Sequence, residues 1–143
     1  MTESNHTSIR IGKHEVGPDH EPYIIAEMSG NHDGSLEKAL DIVRMAAEQG
    51  AHAIKLQTYT ADTITIDVKT DDFKISSGHE LWADRYLYDL YEEAHTPWEW
   101  HEPIFALAKE LGIHAFSSPF DPTAVDYLEK LDVPAYKIAS SEI

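Results

Sequence analysis

The run Ala53-Ile54-Lys55-Leu56-Gln57-Thr58-Tyr59 follows almost directly on an amphipathic stretch that ends at Gly50, and a second apolar run, Tyr23-Ile24-Ile25-Ala26, precedes that stretch. Between them, Ser35 opens a helix in which Leu36, Ala39, Leu40, Val43, Ala46 and Ala47 fall at helical spacing. Strand, helix and strand within about 35 residues are what a right-handed parallel crossover needs. This unit constrains the fold more than any other feature of the chain.

The pattern recurs. Helices are expected from His79 to about Ala94 and from Pro97 to Leu111, followed by a strand at Ile113–Ser117, a helix at Pro122–Leu131 and a fourth strand at Ala135–Ala139. Near the N-terminus, Ser8–Ile11 and Tyr23–Ala26 read as short strands around a polar Gly17–His20 turn, so a β-hairpin is expected ahead of the repeating units. The class is therefore α/β with a parallel sheet. No G-x-G-x-x-G follows any strand, which removes the usual sign of a dinucleotide-binding open sheet. Polar and ionisable residues gather instead at the strand C-termini, as in a (β/α)₈ barrel, and the expectation is the N-terminal half of such a TIM barrel.

Composition narrows the function classes. The 143 residues, 42% hydrophobic and 26% charged, suit a single globular domain. A net charge of −15, with scattered basic residues, opposes binding to nucleic acid or anionic lipid. With no cysteine, a disulfide framework and a thiol nucleophile are excluded. No membrane-length apolar run or secretory leader is visible, and a cytoplasmic location is expected.

The strand ends supply the chemistry: Glu27 after the first, Lys55 and Gln57 on the second, Ser117 and Ser118 on the third, and Lys137, Ser140 and Glu142 at the fourth. A lysine among apolar strand neighbours is costly unless paired, which singles out Lys55 and Lys137. One reading is an anion clamp of two ammonium groups and several hydroxyls around a phosphate or carboxylate, with a glutamate managing a proton or water. The bland alternative is a pair of Lys–Glu bridges filling the barrel mouth, and a Schiff-base lysine also fits the residue types. His32, in Gly-Asn-His-Asp-Gly, is better explained as a turn-fixing group than as a metal ligand. The aromatic stretch Trp82, Tyr86, Tyr88, Tyr91, Trp98 and Trp100 would line a sugar pocket or, for most of its members, pack in the core.

Four ordered motifs resemble those of the sialic acid (nonulosonic acid) synthase family: Tyr23-Ile-Ile-Ala-Glu-Met-Ser-Gly-Asn-His32, Ile54-Lys-Leu-Gln-Thr-Tyr59, Phe116-Ser-Ser-Pro-Phe120 and Tyr136-Lys-Ile-Ala-Ser-Ser-Glu142. Gln57–Thr65, Leu87–Tyr91 and His95–Trp100 are most similar to the pseudaminic acid synthases of that family. The resemblance implies condensation of phosphoenolpyruvate with an open-chain acetamido sugar, the 2,4-diacetamido-2,4,6-trideoxy-altrose precursor of pseudaminic acid. Carbon–carbon bond formation is accompanied by C–O cleavage and release of phosphate.

By position, Lys55, Ser118, Lys137 and Ser140 would hold phosphoenolpyruvate, Glu27 would handle the water or proton, and Gln57 and Glu142 would contact the sugar. N-acetylneuraminate and legionaminic acid synthases are the near alternatives, and a non-catalytic fragment that binds sugar or phosphoenolpyruvate is an alternative of another class. The resemblance also implies a divalent metal, manganese or magnesium, with histidine ligands on later strands outside this chain. Residues 1–143 would then be the first four βα units, without the second half-barrel, and without the antifreeze-like domain that completes a homodimer. Ser118 stands where many relatives carry threonine, which keeps the hydroxyl.

Overall fold

A computed structural model describes residues 7–75 and 83–140. Strands β1 (Ile9–Ile11) and β2 (His14–Val16) form an antiparallel ribbon. Strands β3 (Ile25–Glu27), β4 (Ala53–Thr58) and β5 (His114–Pro119) form a parallel sheet in that order. Helix α1 (Leu36–Glu48) links β3 to β4. Between β4 and β5 come the short α2 (Ala61–Ile64), 3₁₀ turns at Asp71–Phe73 and Trp98–Trp100, α3 (Leu87–Ala94) and α4 (His101–Glu110). Helix α5 (Pro122–Lys130) follows β5.

Local chemistry explains these elements. Ser35 caps α1 by accepting the Lys38 N–H, and Ala39, Val43 and Ala46 line its buried face. Asp121 caps α5 by accepting from the Thr123 and Ala124 amides, and Pro122 occupies the first turn, where no amide hydrogen is needed. One sheet face, carrying Ile54, Leu56 and Ala115, packs on α1 and α4 through Val43, Ile104 and Ala108. Each of those large aliphatic side chains is worth about 1.5–3 kcal/mol when removed from water. Because side chains alternate along a strand, Glu27, Lys55, Gln57, Phe116 and Ser118 are carried on the opposite face.

The ribbon is tied to the N-terminal end of the sheet by an imidazole–phenol cluster. Tyr23 Oη lies 2.6 Å from His114 Nδ1, the Ile24 amide donates to His52 Nδ1 at 2.9 Å, and the His14 ring meets Tyr23, His52 and His114 edge-on. Gly12 makes this approach possible: its φ is +56°, and a Cβ there would sit 2.3 Å from His114 Nε2.

Three sequence expectations are corrected. The ribbon partner of Ile9–Ile11 is His14–Val16 and not Tyr23–Ala26, because the chain reverses at Gly12 before the Gly17–His20 region is reached. The helix expected from His79 begins only at Leu87 within the described residues, since Asp84 takes a positive φ of 66° and Lys74 bridges to Tyr86. The strand expected at Ala135–Ala139 is reduced to a single parallel bridge, Ser117 to Tyr136, with the Lys137 amide donating to the Ser117 carbonyl at 3.1 Å. Asp132 in a left-handed turn and Pro134, which lacks an amide hydrogen, leave little backbone with which to extend that ladder.

Candidate functional site

Strands β3, β4 and β5 end together, and their register places the candidate residues in rows. Glu27 is paired with Lys55, Lys55 with Phe116, and Gln57 with Ser118. In a parallel ladder, paired residues project to the same side, so a carboxylate, an ammonium, an amide and a hydroxyl share one face. The Lys55 ammonium makes an ion pair with the Glu27 carboxylate. The lysine side chain is 13% exposed and its partner 41%, so the pair lies at the boundary between sheet and solvent. The other Glu27 oxygen accepts the Ser29 amide at 3.2 Å, which holds the carboxylate in place.

The loop after β3 is built for close turns. Ser29 and Asp33 adopt positive φ, the Asn31 amide and side chain both donate to the Met28 carbonyl, and Asp33 is salt-bridged to Lys38. Non-glycine residues in that region cost of order 1 kcal/mol each, a strain typical of loops that position functional groups. His32 is buried within the turn: Nδ1 accepts the Gly34 amide and Nε2 lies 3.2 Å from Thr96 Oγ1. Burial moves its pKa below the usual imidazole range.

Both nitrogens of His32 are therefore engaged within the protein, as expected of a turn-fixing group. Among the described residues no cluster of His, Asp and Glu is arranged to hold a metal ion. The side chains present here do not fit a divalent cation site.

The two serines of β5 separate. Ser118, 2% exposed, stands beside Gln57, whereas Ser117 faces the helices. There Thr58 Oγ1 lies 2.7 Å from Ser117 Oγ and 2.8 Å from His101 Nε2, forming a fully buried relay. Desolvation pulls the His101 pKa down to about 4, against smaller opposing effects of the Pro97 and Trp98 carbonyls, so the ring is neutral at pH 7. The sequence alone sets Ser117 beside Ser118 among the strand-end residues and does not mark His101. The alternation along β5 was the signal for the first, and the helical spacing of His101, Ile104 and Ala108 for the second.

Lys137 is half-buried and, like Lys13, Lys109 and Lys130, has no ion pair among the described residues. Its backbone adjoins β5 at Ser117, and because Tyr136 is the residue bridged to Ser117, Lys137 falls next in register to Ser118. Ser140 is exposed, and Glu142 lies outside the described residues. Glu27, Lys55, Gln57 and Ser118 are thus brought together, with Lys137 next in register beyond Ser118.

Beside Gln57 a cavity of about 680 Å³ opens between the β3 loop and α3. Ser29, Asn31, Tyr59, Tyr91 and Ala94 are among the residues that line it. Tyr59 and Tyr91 meet edge to face at 5.6 Å, and Phe120 packs on Tyr59 in the same way. Of the aromatic stretch, Tyr91 reaches this cavity, Trp98 and Trp100 pack with Tyr127 and His32, and Trp82 lies outside the described residues.

Residues 42–143, more than half of the chain, match the profile of the NeuB family. The chain belongs to that family. It is 52% identical over 124 residues to a pseudaminic acid synthase of Campylobacter jejuni, an alignment covering 87% of this chain and 36% of that protein. It is 46% identical over 122 residues to a pseudaminic acid synthase of Helicobacter pylori, covering 85% and 35%. In structure it is similar to the N-acetylneuraminic acid synthetase of Leptospira borgpetersenii, solved in complex with citrate, with a TM-score of 0.75 and 26% identity over 96% of this chain and 42% of the other. This NeuB-family chain spans about a third of the length of the curated relatives it matches. Its α/β fold with a parallel sheet is similar to the corresponding part of that sialic acid synthetase. No helix among the described residues is long and apolar enough to cross a membrane.

Proposed function

We propose that this chain forms the first four βα units of a nonulosonic acid synthase barrel and carries its phosphoenolpyruvate-binding row. Sheet order that follows chain order, with α1 and α4 on one face, is what a closing barrel requires and supports that placement. The observation that carries the reading is the Glu27–Lys55 pair, in register with Gln57 and Ser118 at the C-terminal ends of adjacent parallel strands.

In a protein of net charge −15, an anionic substrate needs a specific cation. Lys55 provides one already stripped of most of its water, and the Ser118 hydroxyl beside it adds a donor. When the phosphate of phosphoenolpyruvate takes the ammonium, Glu27 loses its counter-ion but keeps the Ser29 N–H, and becomes an oriented base. Carbon 3 of phosphoenolpyruvate then bonds to the sugar aldehyde, whose oxygen takes up a proton. Water adds at the resulting electron-deficient carbon 2, Glu27 accepts the proton of that water, and phosphate departs with the C–O bond.

Identities of 52% and 46% to pseudaminic acid synthases support the diacetamido-trideoxy-altrose as the sugar. Lys137, Ser140 and Glu142 join the site in this proposal when later strands close against the fourth unit, and any metal is held by residues of those strands. The test is phosphate release from phosphoenolpyruvate by the gene product that carries this chain, supplied in parallel with the altrose sugar and with N-acetylmannosamine. Release with the altrose sugar alone is expected. Release with N-acetylmannosamine alone would keep the chemistry and replace the product by N-acetylneuraminate, and release with neither would overturn the reading.

A further inference from the structure

The cavity beside Gln57 differs in character from the Lys55 row. Its two lining carboxylates are neutralised within the protein, Asp33 by Lys38 and Glu93 by Arg85 at 2.5 Å, and no lysine or arginine lines it. What remains is neutral: the Ser29 hydroxyl, the Asn31 and Gln57 amides, two phenols and the apolar surfaces of Leu90 and Ala94. Such a wall suits an uncharged ligand with both polar and methyl groups and offers nothing to a phosphate.

The two phenols of this wall have no hydrogen-bond partner among the described residues. Of the seven tyrosines, Tyr23, Tyr88, Tyr127 and Tyr136 have hydroxyls in hydrogen bonds, to His114, Asp62, the Trp98 carbonyl and Glu129. Tyr59 and Tyr91, which share this cavity, have none among the described residues, and neither does Tyr86 at the solvent boundary. Tyr59 is 5% exposed. The Tyr59 hydroxyl is not one of the fully enclosed unpartnered polar atoms among the described residues, so it opens to the cavity, where a ligand can take its hydrogen bond in place of water. Burial raises the Tyr59 pKa to about 12, so the group remains a donor across neutral pH.

Strand geometry connects this cavity to the reaction. Lys55 and Gln57 are alternate strand residues and project to the same side, and Tyr59, one residue past the strand end, lines the same cavity as Gln57. Tyr59 is held at the far end by Phe120 and Tyr91, and its carbonyl accepts the Trp98 indole N–H at 3.3 Å.

We propose that Tyr59 and Tyr91 form the subsite for the acetamido-bearing end of the sugar, the hydroxyls donating to acetamido carbonyls and the rings receiving the methyl groups, and that they set the preference for a diacetamido over a monoacetamido substrate. The inference rests on the synthase reading above, and it assigns sugar discrimination to α3 and the end of β4, where nothing charged takes part.

The test uses the Tyr59→Phe and Tyr91→Phe variants of the gene product that carries this chain, both of which keep the ring and remove only the hydroxyl. Steady-state phosphate release is expected to show a KM for the altrose sugar raised roughly tenfold in each, with the KM for phosphoenolpyruvate changed less than about twofold. The ratio of kcat/KM between the diacetamido sugar and N-acetylmannosamine should fall by a similar factor, and thermal unfolding should stay at the wild-type temperature. An unchanged sugar KM in both variants, with turnover retained, overturns the proposal. Saturation-transfer NMR with the diacetamido sugar separates this failure from failure of the synthase reading. Sugar binding that weakens in both variants while the wild type releases no phosphate would preserve the subsite and sink the enzyme assignment, and no sugar binding to the wild type would sink both.

Discussion

Acidification should weaken the fold through His101 before it titrates the carboxylates. The ring is fully buried against Thr58 and Ser117, with its pKa lowered from 6.5 to about 4, chiefly by desolvation. A depressed folded-state pKa means that between about pH 6.5 and pH 4 the unfolded chain binds a proton that the folded chain refuses. Stability conferred by the neutral ring is therefore complete above pH 6.5 and is lost as the pH falls through that window. At 1.36 kcal/mol per unit, the loss is about 2 kcal/mol by pH 5 and approaches about 3 kcal/mol at pH 4. Urea midpoints followed by Trp98 and Trp100 fluorescence, from pH 7.5 to 4.5, measure it. The His101→Gln variant, which keeps a donor for Thr58 but cannot titrate, is the reference. The wild-type curve should fall more steeply than that of the variant by these amounts. Parallel curves would show that His101 is not the proton acceptor and that the His101–Thr58–Ser117 relay does not hold the ring neutral.

Substitutions at three positions probe other parts of the account. Lys55→Met should raise the KM for phosphoenolpyruvate by roughly 10- to 100-fold, the loss of one charge-assisted hydrogen bond, and leave the sugar KM within a few-fold, as steady-state kinetics would show. Gly12→Ala should destabilise the protein by about 1–3 kcal/mol in chemical denaturation, because the added carbon meets the His114 ring and the backbone holds a positive φ. Asp121→Ala removes the cap of α5 and should cost about 1 kcal/mol by the same measurement, whereas Asp121→Asn should recover most of it.

The sequence carried the repeating βα order because hydrophobic periodicity and capping residues act locally: Ser35 and Asp121 start their helices where their side chains reach the next amides. Lys55 was legible as a costly charge among apolar strand neighbours and Glu27 as a strand-end carboxylate, and the sheet register sets them side by side. What escaped depends on contacts remote in sequence. Nothing in Ala-Tyr-Lys-Ile-Ala shows that its ladder stops after one bridge, since strand pairing is decided by the partner and by Pro134. The Thr58–His101 and Tyr59–Tyr91 contacts join residues separated by α2, and neither periodicity nor composition places those side chains together. Ser117 and Ser118 illustrate the smallest such step, where adjacent residues of one strand serve a buried relay and an open face.

The most direct measurement is a crystal structure of the gene product that carries this chain with phosphoenolpyruvate bound. The account predicts phosphate oxygens within hydrogen-bond distance of Lys55 Nζ and Ser118 Oγ, with Glu27 released from Lys55 but still accepting the Ser29 amide. Phosphoenolpyruvate bound elsewhere, with the Glu27–Lys55 ion pair intact, would contradict it.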